Sequence, residues 1–262
     1  MKFGKRLQQQ IQETLPEWRD KFLSYKELKK LVRLISSPPT LLNGSLEYGK
    51  AEGEFVTLLN NEIDKFNAFF LEMEEDFVIR HKELQQRIER VEETWGGKGS
   101  HPSKIYYREE MKRIRNDIVN FHGEMVLLIN YSNINYTGLA KILKKYDKRT
   151  GSVLRLPFIQ TVLEQPFFTT DLISKLIKEL ETKIDEMFPS SVGANEHNGR
   201  STENELTLVG EGIFRNTVAA LLTMQQIRRG SSTYNNFSLP PLSLAEFELK
   251  HSIKLSSPIP IL

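Results

Sequence analysis

The sequence predicts an all-α fold: a short N-terminal helical pair, two long antiparallel helices and smaller C-terminal helices. Three observations carry that expectation. Val56, Ile63, Phe70, Phe77, Leu84 and Val91 recur at a strict spacing of seven, with Glu and Lys on the other faces. Met111, Ile114, Ile118, Phe121, Met125 and Leu128 follow the 3/4 spacing of a helix buried along one stripe. No segment alternates apolar and polar residues as a half-buried strand does.

Taken in order, residues 3–15 and 20–36 read as a short helical pair. Leu15-Pro16-Glu17-Trp18 marks the turn between them, and Pro38-Pro39 ends the second helix. Residues 40–51 read as a loop. The heptad helix spans 54–94, ~60 Å at 1.5 Å per residue. Its companion seam runs through Leu59, Phe66 and Met73 and then meets Arg80 and Arg87. Trp95–Pro102, with Gly96, Gly97 and Gly99, is a break. The second long helix begins near Ser103. Its apolar seam turns polar at Asn130, Ser132, Asn133 and Asn135, which marks either a kink or a buried polar layer, and resumes at Leu139. The short connection makes the two long helices antiparallel. Further helices are expected at 157–165, 170–188 and 211–229. The chain divides into a domain at 1–165, an added helix at 166–188, a linker at 189–205, an amphipathic helix within 206–229 and a disordered tail at 230–262. The Val218–Leu222 stripe predicts that the late helix buries part of its surface.

Composition narrows the function. With no Cys, disulfides, thiolate metal sites and a cysteine nucleophile are excluded. A hydrophobic fraction of 39% with 15 Phe supplies a core. There is no apolar run of membrane-spanning length and no signal-peptide apolar region, so a soluble intracellular protein is expected. His81, His101, His122, His197 and His251 are scattered without metal-ligand pairing, and His122 reads as a structural histidine. Neither a phosphate-binding Gly-rich loop nor a nucleophile elbow is present, so no enzyme is expected.

The net charge of +2 conceals segregation. Residues 1–35 hold nine cations against four anions, residues 52–93 twelve anions against five cations, and residues 141–149 five cations against one anion. Two segments share one design. Lys26, Lys29, Lys30 and Arg33 sit at i, i+3, i+4, i+7, with Leu28, Leu31, Val32 and Ile35 displaced by two. Lys141, Lys144, Lys145 and Lys148 repeat the pattern against Leu139, Ile142, Leu143 and Tyr146. Two residues turn a helix by about 200°. Each segment therefore sets a cationic face opposite an apolar one. Most charge runs are ordinary solvated faces. Like charges at i, i+4, however, cost a few tenths of a kcal/mol per pair, and here no acid compensates them. Such clustering suits a compact, multiply charged phosphate, with each ammonium a mobile charge bearing three donors. Tyr25 lies one turn before Lys29, and Lys2 and Lys5 begin the first helix, where the macrodipole also favours anions.

These residues resemble the SPX domain. The resemblance rests on Met1-Lys2-Phe3-Gly4-Lys5, Leu15-Pro16-Glu17-Trp18, Ser24-Tyr25-Lys26-Glu27-Leu28-Lys29-Lys30 and Asn135–Lys148, and covers about residues 1–165. The segment Gly212–Leu222 is similar to the small stand-alone SPX proteins of plants, and no transporter, RING or polyphosphate-polymerase sequence follows. The resemblance implies an N-terminal helical hairpin packed on two long antiparallel helices, and a surface that binds inositol polyphosphates or pyrophosphates through Lys2, Tyr25, Lys29, Lys141, Lys144, Lys145 and Lys148; the spacing adds Lys26 and Lys30 to the same face. It also implies a sensor of phosphate status that, when liganded, holds back a MYB coiled-coil transcription factor in the nucleus, with the cytoplasm as a second compartment. No catalytic cofactor is implied; the ligand, inositol hexakisphosphate or a pyrophosphate, is regulatory. A homodimer is an open expectation. Two alternatives stand beside this reading. One is a nucleic-acid-binding helical module, disfavoured by the acidic helix and by the lack of a recognised DNA- or RNA-binding motif. The other is a regulatory adaptor for another phosphate-homeostasis protein.

Overall fold

The computed structural model describes residues 3–14, 16–36, 44–95, 101–187, 217, 218 and 222. Among these, every regular element is helical. The elements are α1 (Phe3–Thr14), a 3-10 helix (Pro16–Lys21), α2 (Tyr25–Ile35), α3 (Gly44–Trp95), α4 (His101–Thr150), α5 (Arg155–Leu163), a 3-10 turn (Pro166–Phe168) and α6 (Asp171–Met187).

The 52-residue α3 and the 50-residue α4 pair along their length. The heptad residues Ile63, Phe70, Phe77, Leu84 and Val91 are buried, as are Leu59 and Phe66 of the companion seam. Where that seam meets Arg80 and Arg87, both cross to α4. Arg80 donates to Glu124 at 2.6 and 3.2 Å, and Arg87 donates to Glu110 and Asp117 at 2.6–2.9 Å. Those pairings run in opposite chain directions, 80 to 124 and 87 to 110, which establishes the antiparallel register.

α4 runs as one helix through the Asn-rich stretch, which forms a buried polar layer. Asn130, Ser132 and Asn135 are buried, and Tyr131 donates to the carbonyl of Lys21 at 3.0 Å. Trp18, Phe22, Phe66 and Phe69 meet the Tyr131 ring edge to face with centroids 4.9–6.2 Å apart. This cluster clamps the 3-10 segment and the start of α2 onto the long hairpin. α4 ends at Gly151, whose φ of 76° is the left-handed conformation that closes a helix and disfavours a side chain.

α6 lies antiparallel to α4. Phe168 packs on Tyr136, and Glu181 meets His122 at 3.0 Å. Glu179 lies 3.5 Å from His81 of α3, where burial pushes the imidazole below its usual value. Both histidines thus dock α6 onto the hairpin.

Several boundaries differ from the sequence expectation. The loop read at 40–51 is helical from Gly44 onward. This first stretch of α3 has no apolar stripe of its own; it is anchored from a distance, by Phe55 stacked on Tyr146 at 4.9 Å and by a hydrogen bond from the Tyr146 hydroxyl to Glu52. The helix read at 20–36 begins only at Tyr25, because Pro16–Lys21 forms the 3-10 helix. His101 and Pro102 belong to the first turn of α4, where proline costs no hydrogen bond. The linker at 189–205 and the tail at 230–262 lie outside the described residues, as does most of the helix at 211–229. Of that helix, Thr217, Val218 and Leu222 are helical. Thr217 is buried and donates to the Gly123 carbonyl of α4 at 3.5 Å, Val218 is half-buried and Leu222 is 54% exposed, so the described part of this helix is buried on one side.

Candidate polyanion-binding surface

The opposition of faces predicted for α2 and for the end of α4 is realised. Leu28, Val32 and Ile35 are buried on α2, while Lys26, Lys30 and Arg33 are exposed and Lys29 is half-buried. On α4, Leu139, Ile142, Leu143 and Tyr146 are buried, Lys144 and Lys148 are exposed, and Lys141 and Lys145 are half-buried.

The two cationic faces lie side by side, and contacts at both ends set their alignment. At one end, the Phe3 ring of α1 meets Tyr25 edge to face at 5.1 Å, and the Lys141 ammonium lies 5.1 Å from the same ring. One aromatic ring therefore joins the first residue of α2 to the first lysine of the α4 row, with cation–π attraction on one side and edge-to-face packing on the other. Gly4 permits this closeness: a Cβ there would lie 3.1 Å from the Tyr25 ring. At the other end, Arg149 donates to the Ser36 hydroxyl at 3.1 Å, just past α2. α2 and the last turns of α4 thus run in the same direction.

Electrostatics follow from this packing. Burial pushes the Tyr25 phenol above its usual value, so it is a neutral donor at physiological pH. Burial, and then the neighbouring Lys144, lower the Lys141 ammonium. Asp147 is the one acid within 141–149. It accepts the backbone N–H groups of Leu154 and Arg155 at 3.0–3.3 Å, so its charge serves the start of α5. The arrangement places lysines of α2 and of the end of α4, and the Tyr25 phenol, on adjoining helices. A compact, multiply charged anion would relieve the mutual repulsion of such a row.

Of the residues singled out from the sequence, Tyr25, Lys26, Lys29, Lys30, Lys141, Lys144, Lys145 and Lys148 fall on these two adjacent rows. Lys2 lies outside the described residues. Sequence reasoning missed Phe3 as the joint between the rows, and it missed the Arg149–Ser36 contact. Neither has a signature, since each depends on residues more than twenty positions apart. Among the described residues no group of His, Asp or Glu is arranged to hold a metal, and no helix is long and apolar enough to cross a membrane.

The SPX domain family matches residues 1–41 and 90–162, which include α1, α2, all of α4 and all but the last residue of α5. The chain is 61% identical to the SPX domain-containing protein 3 of Arabidopsis thaliana over 262 residues, the full length of both. It belongs to the SPX domain family. The SPX domain-containing protein 3 of Oryza sativa subsp. indica is 56% identical over 252 residues, 93% of this chain and 88% of that one. The SPX domain-containing protein 1 of Arabidopsis thaliana is 50% identical over 255 residues, 93% of each chain. The likeness to these SPX proteins runs past α5 and α6 into the C-terminal region, so the relatives share more than the stretch the SPX domain match covers.

Proposed function

We propose that this SPX protein is a regulatory, non-catalytic sensor of phosphate status. It binds an inositol polyphosphate or pyrophosphate on the paired lysine rows. In that state it binds and inhibits a MYB coiled-coil transcription factor of the phosphate-starvation response, acting in the nucleus. The observation that carries the reading is the Phe3 ring, which joins Tyr25 to Lys141 and makes two separate lysine rows one surface. Membership of a family of SPX domain-containing proteins supports it.

On this reading Tyr25 donates through its hydroxyl, and Lys29 and Lys145 approach from either row. Lys26, Lys30, Lys141, Lys144, Lys148 and Lys2 add charge around the ligand's rim. Calorimetric titration of inositol hexakisphosphate tests the site. A Tyr25→Phe, Lys29→Ala, Lys145→Ala variant loses three charge-assisted contacts and should bind at least about 100-fold more weakly than the unmodified chain. Equal affinity would end the assignment. Recovery of the transcription factor from nuclear extract only when the polyphosphate is present would support the partner; recovery regardless of ligand would refute ligand gating.

A further inference from the structure

The proposed ligand surface depends on where α2 begins, and that point is held from outside α2. Residues 22–24 link the 3-10 helix to α2, and every peptide group in them is engaged. Phe22 donates to the Arg19 carbonyl, Tyr25 donates to the Leu23 carbonyl, and Glu27 and Leu28 donate to the Ser24 carbonyl. The remaining three groups are claimed by side chains of the long hairpin. Lys65 donates to the Phe22 carbonyl at 2.9 Å, Leu23 N–H donates to Asn135 Oδ1 at 2.9 Å, and Ser24 N–H donates to Glu62 Oε2 at 2.9 Å.

The spacing of Ser24 and Glu27 is that of a capping box, in which Glu27 would accept the Ser24 N–H. That local solution is not used. Ser24 makes no side-chain cap bond, Glu27 is exposed, and the Ser24 N–H goes to a carboxylate 38 residues away. Glu62 is only 4% exposed and is neutralised by Lys65 at 2.7 Å. A buried carboxylate is costly unless paired and hydrogen-bonded. Here it is both, and it sits where the α2 macrodipole favours negative charge. Helix propensity alone does not need this device; a local cap would start α2 equally well. What the distant partners add is position.

We propose that Glu62, Lys65 and Asn135 are positioning residues for the polyanion surface. They clasp the peptide groups of Phe22–Ser24 to α3 and α4, and so set Tyr25 and the α2 lysines in register with the α4 lysines. The claim rests on the function proposed above, but the clasp itself has a ligand-free readout. Loss of one clasp leaves the helices intact and lets the start of α2 shift, which disperses the charges a compact anion must meet together.

The test uses the full chain carrying Glu62→Ala, Glu62→Gln, Lys65→Met or Asn135→Leu, with Ile88→Ala as a control. Ile88 is a core residue of α3 toward the far end of the hairpin. Amide hydrogen exchange at Leu23 and Ser24 reads the clasp without ligand. Calorimetry with inositol hexakisphosphate reads its consequence. Glu62→Ala should speed exchange at Ser24, and Asn135→Leu at Leu23, by at least about tenfold, with amides of central α3 unchanged. The same variants and Lys65→Met should weaken binding by about tenfold. Glu62→Gln keeps an acceptor for Ser24 and should recover most of the affinity lost in Glu62→Ala. Ile88→Ala should lower the melting temperature and leave affinity unchanged. Unchanged exchange at Ser24 in Glu62→Ala overturns the clasp, as does an equal loss of affinity in Ile88→Ala or no recovery in Glu62→Gln. Should Glu62→Ala not fold, Lys65→Met and Asn135→Leu decide on the same criteria. If the unmodified chain does not bind the polyphosphate, the proposed function fails, and exchange alone still decides the clasp.

Discussion

Lys141 shows how one residue can report on the whole surface. Its ammonium lies against Phe3 and beside Lys144, and burial followed by that like charge lowers its pKa. The folded chain therefore holds this proton less tightly than the unfolded chain does. Its charge opposes folding at neutral pH, and the penalty fades as the pH rises through the depressed value toward the ordinary lysine range. A polyanion seated on the rows would reverse the shift. Binding at a pH just below the ordinary lysine range should then be accompanied by proton uptake. Calorimetry in two buffers of different ionisation enthalpy measures it. Lys141→Met should show less uptake than the unmodified chain; identical uptake would place Lys141 away from the ligand. The Lys141 spacing was legible in the sequence, because a 3/4 pattern is local. Its partner Phe3 was not, since nothing in a sequence of separate helices says which ring fills the space between them. The Asn-rich stretch was legible only as a polarity change. Asn135 is half satisfied, by the Leu23 N–H, while both polar atoms of Asn130 lack a partner among the described residues. The layer is maintained at a cost that no local pattern announces.

At the level of elements, the link between the 3-10 helix and α2 comes close to α4. Gly138 allows it, because a Cβ at this position would come 2.5 Å from Cδ2 of the buried Leu23. Two effects compete in Gly138→Ala. Alanine improves helix propensity by about 1 kcal/mol. Overpacking costs about 1–3 kcal/mol when the neighbour cannot retreat. Leu23 is poorly placed to retreat, because its side chain is packed in the core at 5% exposure. We expect the clash to win, with a net loss of up to about 2 kcal/mol in denaturant unfolding. A neutral or stabilised variant would mean that Leu23 repacks freely. The same contrast between local and distant causes explains which elements the sequence revealed. α4 and the body of α3 announce themselves by period, and their register follows once Arg80 and Arg87 are paired with acids. The first turns of α3 do not, because Glu52 and Phe55 are held by Tyr146, ninety-odd residues later. The 3-10 helix at Pro16–Lys21 was read only as a turn leading straight into a helix. Its Trp18, and Phe22 just beyond it, pack on Tyr131 more than a hundred residues later, a contact that no local pattern reveals.

Across the whole molecule, exposed cations lie toward both ends of α4, Arg108, Lys112, Arg113 and Arg115 near its start and Lys144 and Lys148 near its finish. The lysine rows occupy the end where α1, α2 and the last turns of α4 meet. From Lys141 back to Lys112, α4 spans 29 residues, a separation of ~44 Å. Lys82 lies on α3 between Arg80 and Arg87, opposite the part of α4 between Glu124 and Glu110, and is also remote from the rows. Screening at physiological ionic strength confines a surface charge to about 8 Å. Net charge should therefore matter little to ligand affinity, and the charge on one surface should matter greatly. Two double variants separate these quantities. Lys30→Ala with Lys148→Ala, and Lys82→Ala with Lys112→Ala, each remove two exposed cations from a chain of formal charge +2. The first pair comes from the proposed surface and should weaken inositol hexakisphosphate binding by at least about tenfold at ~0.15 M salt. The second should leave it within about twofold under the same screening. Raising the salt should narrow the gap between unmodified chain and first variant, because the missing contacts are the screened ones. Equal losses from both pairs would mean that the ligand senses the chain's total charge. The two rows would then be no more than solvated helix faces that happen to adjoin.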